Sequence, residues 1–234
     1  MNSCEYVKQN YEELLEEIAG YERLYGREIT VVAVTKSGSD EELIALLSAG
    51  ATDVAENRPA ELKRRAELLR EHGFSPRFHE IGNLQRNKVK LVINEAVLIH
   101  SVDKYELAEE ISKQASRLGI TANVLIEINS AREDAKGGAL PEDAEELFLK
   151  VRSLPSVSVK GLMTMGPALT SDEEMRPYFR LTKEIFDRIN KKYGFDGGGI
   201  LSMGMSNSYA VAIEEGSTLI RVGRKLFEKT KGDR

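Results

Sequence analysis

Eight short apolar runs, evenly spaced along the chain, constrain its fold more than any other feature. They are ITVVAVT (29–35), TDVAE (52–56), RFHEI (77–81), AVLIHS (96–101), ANVLIEI (122–128), VKGLMTM (159–165), GILSMG (199–204) and TLIRVG (218–223). Helix-like segments lie between them: EELIALLSAG, PAELKRRAELLREHG, LQRNKVKLVINE, KYELAEEISKQASRLG, PEDAEELFLKVRSL and EEMRPYFRLTKEIFDRINKKYG. Gly50, Gly73, Gly119 and Gly194 close several of these, where a helix C-cap is wanted. Before the first run, Tyr11, Leu14, Leu15, Ile18, Tyr21 and Leu24 recur at helical spacing. Strands alternating with helices, eight times over, predict a single (β/α)8 TIM barrel spanning 1–234, with an extra N-terminal helix. An open doubly wound sheet is the competing arrangement. The count of eight and the even spacing favour the barrel, a lean one against the roughly 250 residues usual for that fold. The glycine cluster from Asp196 to Gly199 is too short for a linker and reads as the loop before strand seven.

Composition narrows the function classes. Apolar residues make up 41% of the chain, enough for a sizeable core, and charged residues 30%. The net charge of −5 argues against a dedicated nucleic-acid binder, which carries a basic footprint. No apolar run is long enough to cross a bilayer. The acidic, amphipathic N-terminus is not a secretory signal. Cys4 is the sole cysteine, so no internal disulfide forms, and the expected compartment is cytoplasmic.

In a barrel of this type, active sites sit at the C-terminal ends of the strands. Polar residues of several kinds converge there. Lys36 follows strand one, and Glu56 and Asn57 follow strand two. His79 lies on strand three, with Gly82 and Asn83 beyond it, and His100 ends strand four. Strand five leads to Asn129, Lys136 and Gly137. Strand seven ends in Met203, Met205, Ser206 and Asn207, and strand eight in Arg221, Gly223 and Arg224.

Period-two alternation places Val32, Val34 and Lys36 on one face of strand one, directed into the barrel or its mouth. A lysine partly withdrawn from water loses hydration of its ammonium, and the neutral amine is a nucleophile toward aldehydes. Two plainer readings compete: a lysine that snorkels to the rim, or one paired with Glu56. The loops after strands seven and eight bear on the choice. SMGMSNS (202–208) runs from glycine through serine into a helix-like stretch, and RVGRKLF (221–227) repeats strand, glycine, new helix. In barrels, a phosphate site is often built from these two loops. Strands one and eight are neighbours in a closed ring. A phosphorylated aldehyde therefore fits, namely pyridoxal 5′-phosphate held as a Schiff base on Lys36.

The motifs AVTK (33–36), AENRPAE (55–61), FHEIGNLQRNK (78–88), HSVD (100–103), EINSAREDAKGG (127–138), GLMTMGP (161–167) and LSMGMSNSYAVAIEEGSTLIRVGRKLF (201–227) carry a resemblance over nearly the whole chain. The sequence resembles the pyridoxal phosphate homeostasis family, which implies a barrel related to the N-terminal domain of alanine racemase. The resemblance further implies a cytoplasmic protein that binds and supplies the cofactor, without established catalytic activity. Matched residue by residue, Lys36 is the Schiff-base lysine and Asn57 lies near the cofactor. Ser206, with the backbone of Gly223 and Arg224, holds the phosphate, and Arg221 faces the pyridine nitrogen. His79, Met203 and Met205 line the pocket. The chain departs from the family pattern at Ala55, Asn207 and Glu228, which bears on local loop geometry.

Other features read more plainly. His100 fits a satisfied core histidine, and neither it nor His79 has partners at metal-ligand spacing, so no metal site is predicted. LKRRAELLR (62–70) reads as the solvated face of a helix. Residues 134–138 form either a lid or a plain polar loop. The Met163 and Met165 pair reads as packing. The expected partners are the cofactor, free amino acids and pyridoxal-phosphate-dependent apoenzymes, with no nucleic acid and no membrane, and the protein is expected to be a monomer. The alternative function is a racemase or related enzyme using the same cofactor. That reading calls for a second, β-rich domain supplying a catalytic tyrosine, and strand eight is followed here only by KLFEKTKGDR.

Overall fold

Alternation along the strands divides their side chains between two cores. In the computed structural model, which describes residues 4–133, 137–167 and 171–229, all eight apolar runs are strands. They are β1 (Thr30–Val34), β2 (Asp53–Glu56), β3 (Arg77–Glu80), β4 (Ala96–Val102), β5 (Ala122–Glu127), β6 (Val157–Met163), β7 (Ile200–Met205) and β8 (Leu219–Val222). Each pairs in parallel with the next, and β8 returns to β1, from Thr30 opposite Leu219 to Ala33 opposite Val222. The sheet is a closed barrel, as expected from the (β/α)8 pattern.

Val32, Val34, Ala55, Leu98, Leu125, Met163 and Leu219 fill the barrel interior as one cluster. The opposite parity, including Ala33, Val54, Phe78, Ile99, Val124 and Ile220, belongs to a larger cluster shared with the surrounding helices. Those helices are α1 (Glu5–Tyr25), α2 (Asp40–Ser48), α3 (Pro59–Glu71), α4 (Val89–Val92), α5 (Tyr105–Leu118), α6 (Ala144–Arg152), α7 (Asp172–Tyr193), α8 (Tyr209–Glu214) and α9 (Arg224–Phe227). Local chemistry sets their ends. Ser39 and Glu42 form a capping box at the start of α2, and Ser171 and Glu174 repeat it at α7. The segment LQRNKVKLVINE is less helical than its sequence suggests. It makes a 3-10 turn at Arg86–Lys88 and one α-helical turn, α4, then leads into β4 once Val89 and Val92 are buried. Gly161 admits no side chain, because a Cβ there would lie 1.9 Å from the carbonyl oxygen of Ile200. No helix among the described residues is long and apolar enough to cross a membrane.

The helix α1 packs against α2 and α9, the helices that follow the first and last strands. Its Asn10 amide donates to the carbonyls of Leu226 and Glu228, tying it to the segment after β8.

One charged residue departs from expectation. The stretch 62–70 reads as a solvated helix face, yet Arg65 is buried alongside Leu62, Ala66 and Leu69. Its Nη1 donates to Glu56 Oε1 at 2.6 Å and to the Thr35 carbonyl at 2.7 Å, and Nη2 donates to the Gly38 carbonyl at 2.6 Å. Residues three and four apart share a helix face, so Arg65 follows Leu62 inward. The buried Glu56 requires its charge. Arg65→Ala strands that carboxylate and is expected to cost about 3–5 kcal/mol of stability, read by urea denaturation. A loss below about 1 kcal/mol would show that the pair does not anchor α3.

Candidate functional site

Past the strand ends, the inward parity continues into the loops. Lys36 lies two residues beyond Val34, Asn57 two beyond Ala55, Ile81 two beyond His79, Met165 two beyond Met163 and Gly223 two beyond Arg221. All of these except the buried interior residues Ala55, His79 and Met163 line one cavity of about 550 Å³ at the C-terminal rim. Ser206, Asn207, Met205 and Arg224 complete the wall on the side of β7 and β8. The size suits a small organic cofactor.

Lys36 stands in the turn directly after Thr35, and that turn is held by the Thr35 N–H donating to the Ala55 carbonyl at 3.0 Å. The lysine is exposed to the cavity mouth, not withdrawn from water as expected. It has no ion pair among the described residues. The alternative partner, Glu56, faces outward from the barrel and is engaged by Arg65 and the Thr35 hydroxyl. The amine is thus uncommitted.

Asn57 borders the cavity beside Gly82. A Cβ at Gly82 would come within 2.1 Å of the Asn57 carbonyl oxygen, so only glycine allows these two loops to touch. The N–H of Gly82 donates to Glu80 Oε1 at 3.0 Å. Glu80 Oε2 is buried with no partner among the described residues. Burial, with Glu56 nearby adding to it, pushes the Glu80 carboxyl up to about 8.

On the other side, Ser206 Oγ accepts the Gly223 N–H at 3.2 Å and the Lys225 N–H at 3.5 Å. Two backbone donors at the start of α9 therefore converge on one oxygen at the cavity edge. That donor set fits a phosphate group. Gly223 itself packs against β1, since a Cβ there would lie 3.0 Å from the Val34 carbonyl oxygen.

Arg221 forms part of the cavity wall while only 3% exposed. Its Nη1 donates to Ser202 Oγ at 2.6 Å and its Nη2 to the Thr164 carbonyl at 3.0 Å. Burial lowers its pKa to about 10, against the pull of Glu127, so it stays protonated at neutral pH. Burial and Asp103 raise Glu127 to about 7, with Arg221 opposing.

Three expectations are corrected. His79 does not line the cavity: it is buried in the barrel interior, where its Nδ1 meets His100 Nε2 at 2.9 Å and its Nε2 meets Asp53 Oδ1 at 2.9 Å. Met203 has the outward parity of β7 and packs among the helices, whereas Met205 is 40% exposed at the cavity. Met165 lines the cavity in addition to packing. Lys136 and most of the expected 134–138 loop lie outside the described residues. Among the described residues no group of three metal-ligating side chains converges. Sequence reading missed Ser202, which shares the inward parity of Arg221 and could have been found by that rule. It also missed Ser171 and Met175 on the cavity wall, for which the sequence offers no local signal, because α7 reaches the rim only through tertiary packing.

Comparison with known proteins identifies relatives of the whole chain. Residues 7–230 match the model of the alanine racemase N-terminal domain. A protein of Aquifex aeolicus named pyridoxal phosphate homeostasis protein is 39% identical over 99% of this chain and 100% of its own. A crystal structure of an unknown protein from Bifidobacterium adolescentis superposes with a TM-score of 0.89 at 35% identity, covering 96% of each chain. PipY of Synechococcus elongatus, solved with PLP bound, shares the fold with a TM-score of 0.82 at 24% identity over 95% of this chain and 100% of its own.

The Glu80 environment has a pH signature. A carboxyl that titrates near 8 when folded, against 4.5 ordinarily, stabilises the fold fully below 4.5 and loses that contribution as pH rises through about 8. Between pH 5 and 8.5 the loss from this residue should be on the order of a few kcal/mol. Glu80→Gln should flatten that slope in urea titrations run at both pH values. An equal slope in the two proteins would place the proton elsewhere.

Proposed function

The chain belongs to the alanine racemase N-terminal domain family, and from that premise we propose that it is a carrier of pyridoxal 5′-phosphate serving cofactor homeostasis in the cytoplasm. The observation that carries this reading is the meeting, in one cavity, of an uncommitted amine at Lys36, a buried guanidinium at Arg221 and two N–H donors gathered at Ser206. The name of the Aquifex aeolicus relative supports it. When bound, the cofactor supplies an electrophilic aldehyde and an electron-accepting ring.

In this reading Lys36 would hold the cofactor through its aldehyde, as a Schiff base. Ser206 and the N–H groups of Gly223 and Lys225 grip the phosphate, with Arg224 beside them. Arg221 would serve the ring nitrogen, and Asn57 and Met205, which line the same cavity, would lie beside the ring. The monomer stores, buffers or delivers the cofactor to apoenzymes, and free amino acids compete with Lys36 for the aldehyde.

Arg221 also bears on the alternative reading, an amino-acid racemase. Arginine donates hydrogen bonds and cannot accept them. Facing the ring nitrogen, it favours the unprotonated ring, a weaker electron sink than a pyridinium. Binding and exchange do not require a strong sink, whereas proton removal from an amino-acid Cα gains from one.

Two experiments test the site. The purified protein mixed with pyridoxal phosphate should turn yellow, and borohydride should fix the cofactor to the peptide containing Lys36. Retention of the same stoichiometry of reduced adduct in Lys36→Ala would remove the assignment. Ser206→Ala should weaken cofactor binding by about 1–3 kcal/mol, the scale of a charge-assisted hydrogen bond, and pyridoxal lacking phosphate should bind far more weakly than the phosphate ester. Equal affinity for the two forms would rule out the phosphate grip. Solvent deuterium exchange at Cα of L-alanine separates carrier from racemase: little or none is expected, and exchange at enzymatic rates would restore the racemase.

A further inference from the structure

Beneath the cavity, a line of polar side chains crosses the apolar barrel interior from one end to the other. Arg221 Nη1 lies 2.6 Å from Ser202 Oγ, which lies 3.1 Å from His100 Nδ1. His100 Nε2 lies 2.9 Å from His79 Nδ1, and His79 Nε2 lies 2.9 Å from Asp53 Oδ1. Asp53 opens β2 at the far end of the barrel, where it also accepts from Arg77, whose side chain is 60% exposed. Asp53, His79, His100, Ser202 and Arg221 are each no more than 4% exposed.

The chemistry of these groups gives the line a direction. Arg221 can only donate, so Ser202 Oγ accepts from it. The Ser202 hydroxyl proton then goes to His100 Nδ1, which must be bare. A neutral His100 carries its proton on Nε2 and donates to His79 Nδ1. His79 in turn carries its proton on Nε2 and donates to the Asp53 carboxylate. Reversing the order would present a bare His79 Nε2 lone pair to a carboxylate and give Ser202 two donors. Its own proton would then lack an acceptor among the described partners. Burial, His79 and Arg221 all hold His100 well below its ordinary pKa, in keeping with a neutral ring.

We propose that Asp53, His79, His100 and Ser202 form a one-way hydrogen-bond relay that positions Arg221 for the ligand of the cavity. Among the described residues no carboxylate bonds the Arg221 guanidinium directly. Its orientation depends on a carbonyl and on a hydroxyl that could rotate. The relay removes that freedom by giving the hydroxyl proton one acceptor. With a cation at one end and a carboxylate at the other, each link polarises the next. The four are positioning residues, since none of them lines the cavity.

The relay itself is independent of which ligand binds; its effect on pyridoxal phosphate rests on the function proposed above. The first test needs no ligand. Nitrogen-15 spectra of histidine-labelled protein should show the tautomer with Nε2–H and a bare Nδ1 at both His79 and His100. An imidazolium or an Nδ1–H tautomer at either ring would overturn the relay. Second, Arg221 side-chain N–H signals should be resolved in the unmodified protein and averaged in Ser202→Ala and His100→Phe. His100→Gln keeps one acceptor and one donor and should preserve them. If His100→Phe fails to fold, Ser202→Ala decides, and unchanged Arg221 signals there would overturn the positioning role. Third, Ser202→Ala should weaken pyridoxal phosphate binding about tenfold with Ser206 intact, the scale of one lost hydrogen bond to a charged group. Unaltered affinity in a variant whose Arg221 signals have averaged would also overturn the role. Failure of the unmodified protein to bind pyridoxal phosphate would instead remove the carrier function, leaving the two spectroscopic tests to decide the relay.

Discussion

The pairing of β8 with β1 is the contact on which the rest of this molecule depends. It removes the two free sheet edges that eight parallel strands would otherwise present. It also gives alternation a fixed meaning, because every second side chain then faces an enclosed interior and the others face the helices. Without closure, Lys36 and Gly223 would sit at opposite ends of a sheet. With it, Gly223 packs on Val34 and both lie in one cavity wall. The helix α1 braces the same seam through Asn10.

Charges are buried on both sides of the barrel wall, and they are handled differently. Outside, Glu56 is neutralised by Arg65 over a short ion pair, while the adjacent Glu80 is held protonated by burial. Both solutions avoid an unpaired buried anion, which is costly in a low-dielectric setting. Inside, the Arg221 cation is satisfied by neutral acceptors, and the Glu127 carboxyl that acts on it is itself pushed up to about 7. The result is a positive group in the cavity wall with no bonded carboxylate among the described residues. Such a group retains donor capacity and field for an electron-rich ring atom. The Glu80 carboxyl bears on the cavity indirectly, because it accepts the N–H of Gly82, which lines the wall against Asn57.

The strands and the ring order were legible because period-two alternation and glycine punctuation are local signals. The placement of Lys36 at the rim followed from the same parity counted from Val32. Parity could not tell how deep a residue sits. His79 and Arg221 both face inward, yet His79 bonds toward Asp53 at the far end while Arg221 reaches the cavity. Arg65 was hidden for a different reason. A basic run on a helix is normally solvated, and only the outward-facing Glu56 on a neighbouring strand makes burial of one arginine favourable. The withdrawal of Lys36 from water also could not be judged from strand-end position, because the turn after Thr35 leaves the lysine at the mouth. Ser171 and Met175 reach the cavity through the path of α7, which no local pattern encodes.

The seam between the first and last strands has a kinetic side. Neighbouring strands elsewhere in the ring are joined by a single helical crossover, whereas Thr30 and Leu219 meet across nearly the whole chain. Closing so long a loop is the most demanding step in chain entropy, and contacts of that kind tend to form late in folding. The residues at the cavity edge straddle this joint, with Lys36 on one side and Ser206, Arg221 and Gly223 on the other. A ligand touching both sides acts as a clasp. It binds only the completed ring, and so draws the population toward it by mass action. The amount of ligand in the surroundings would then set how firmly the last joint of the barrel is held.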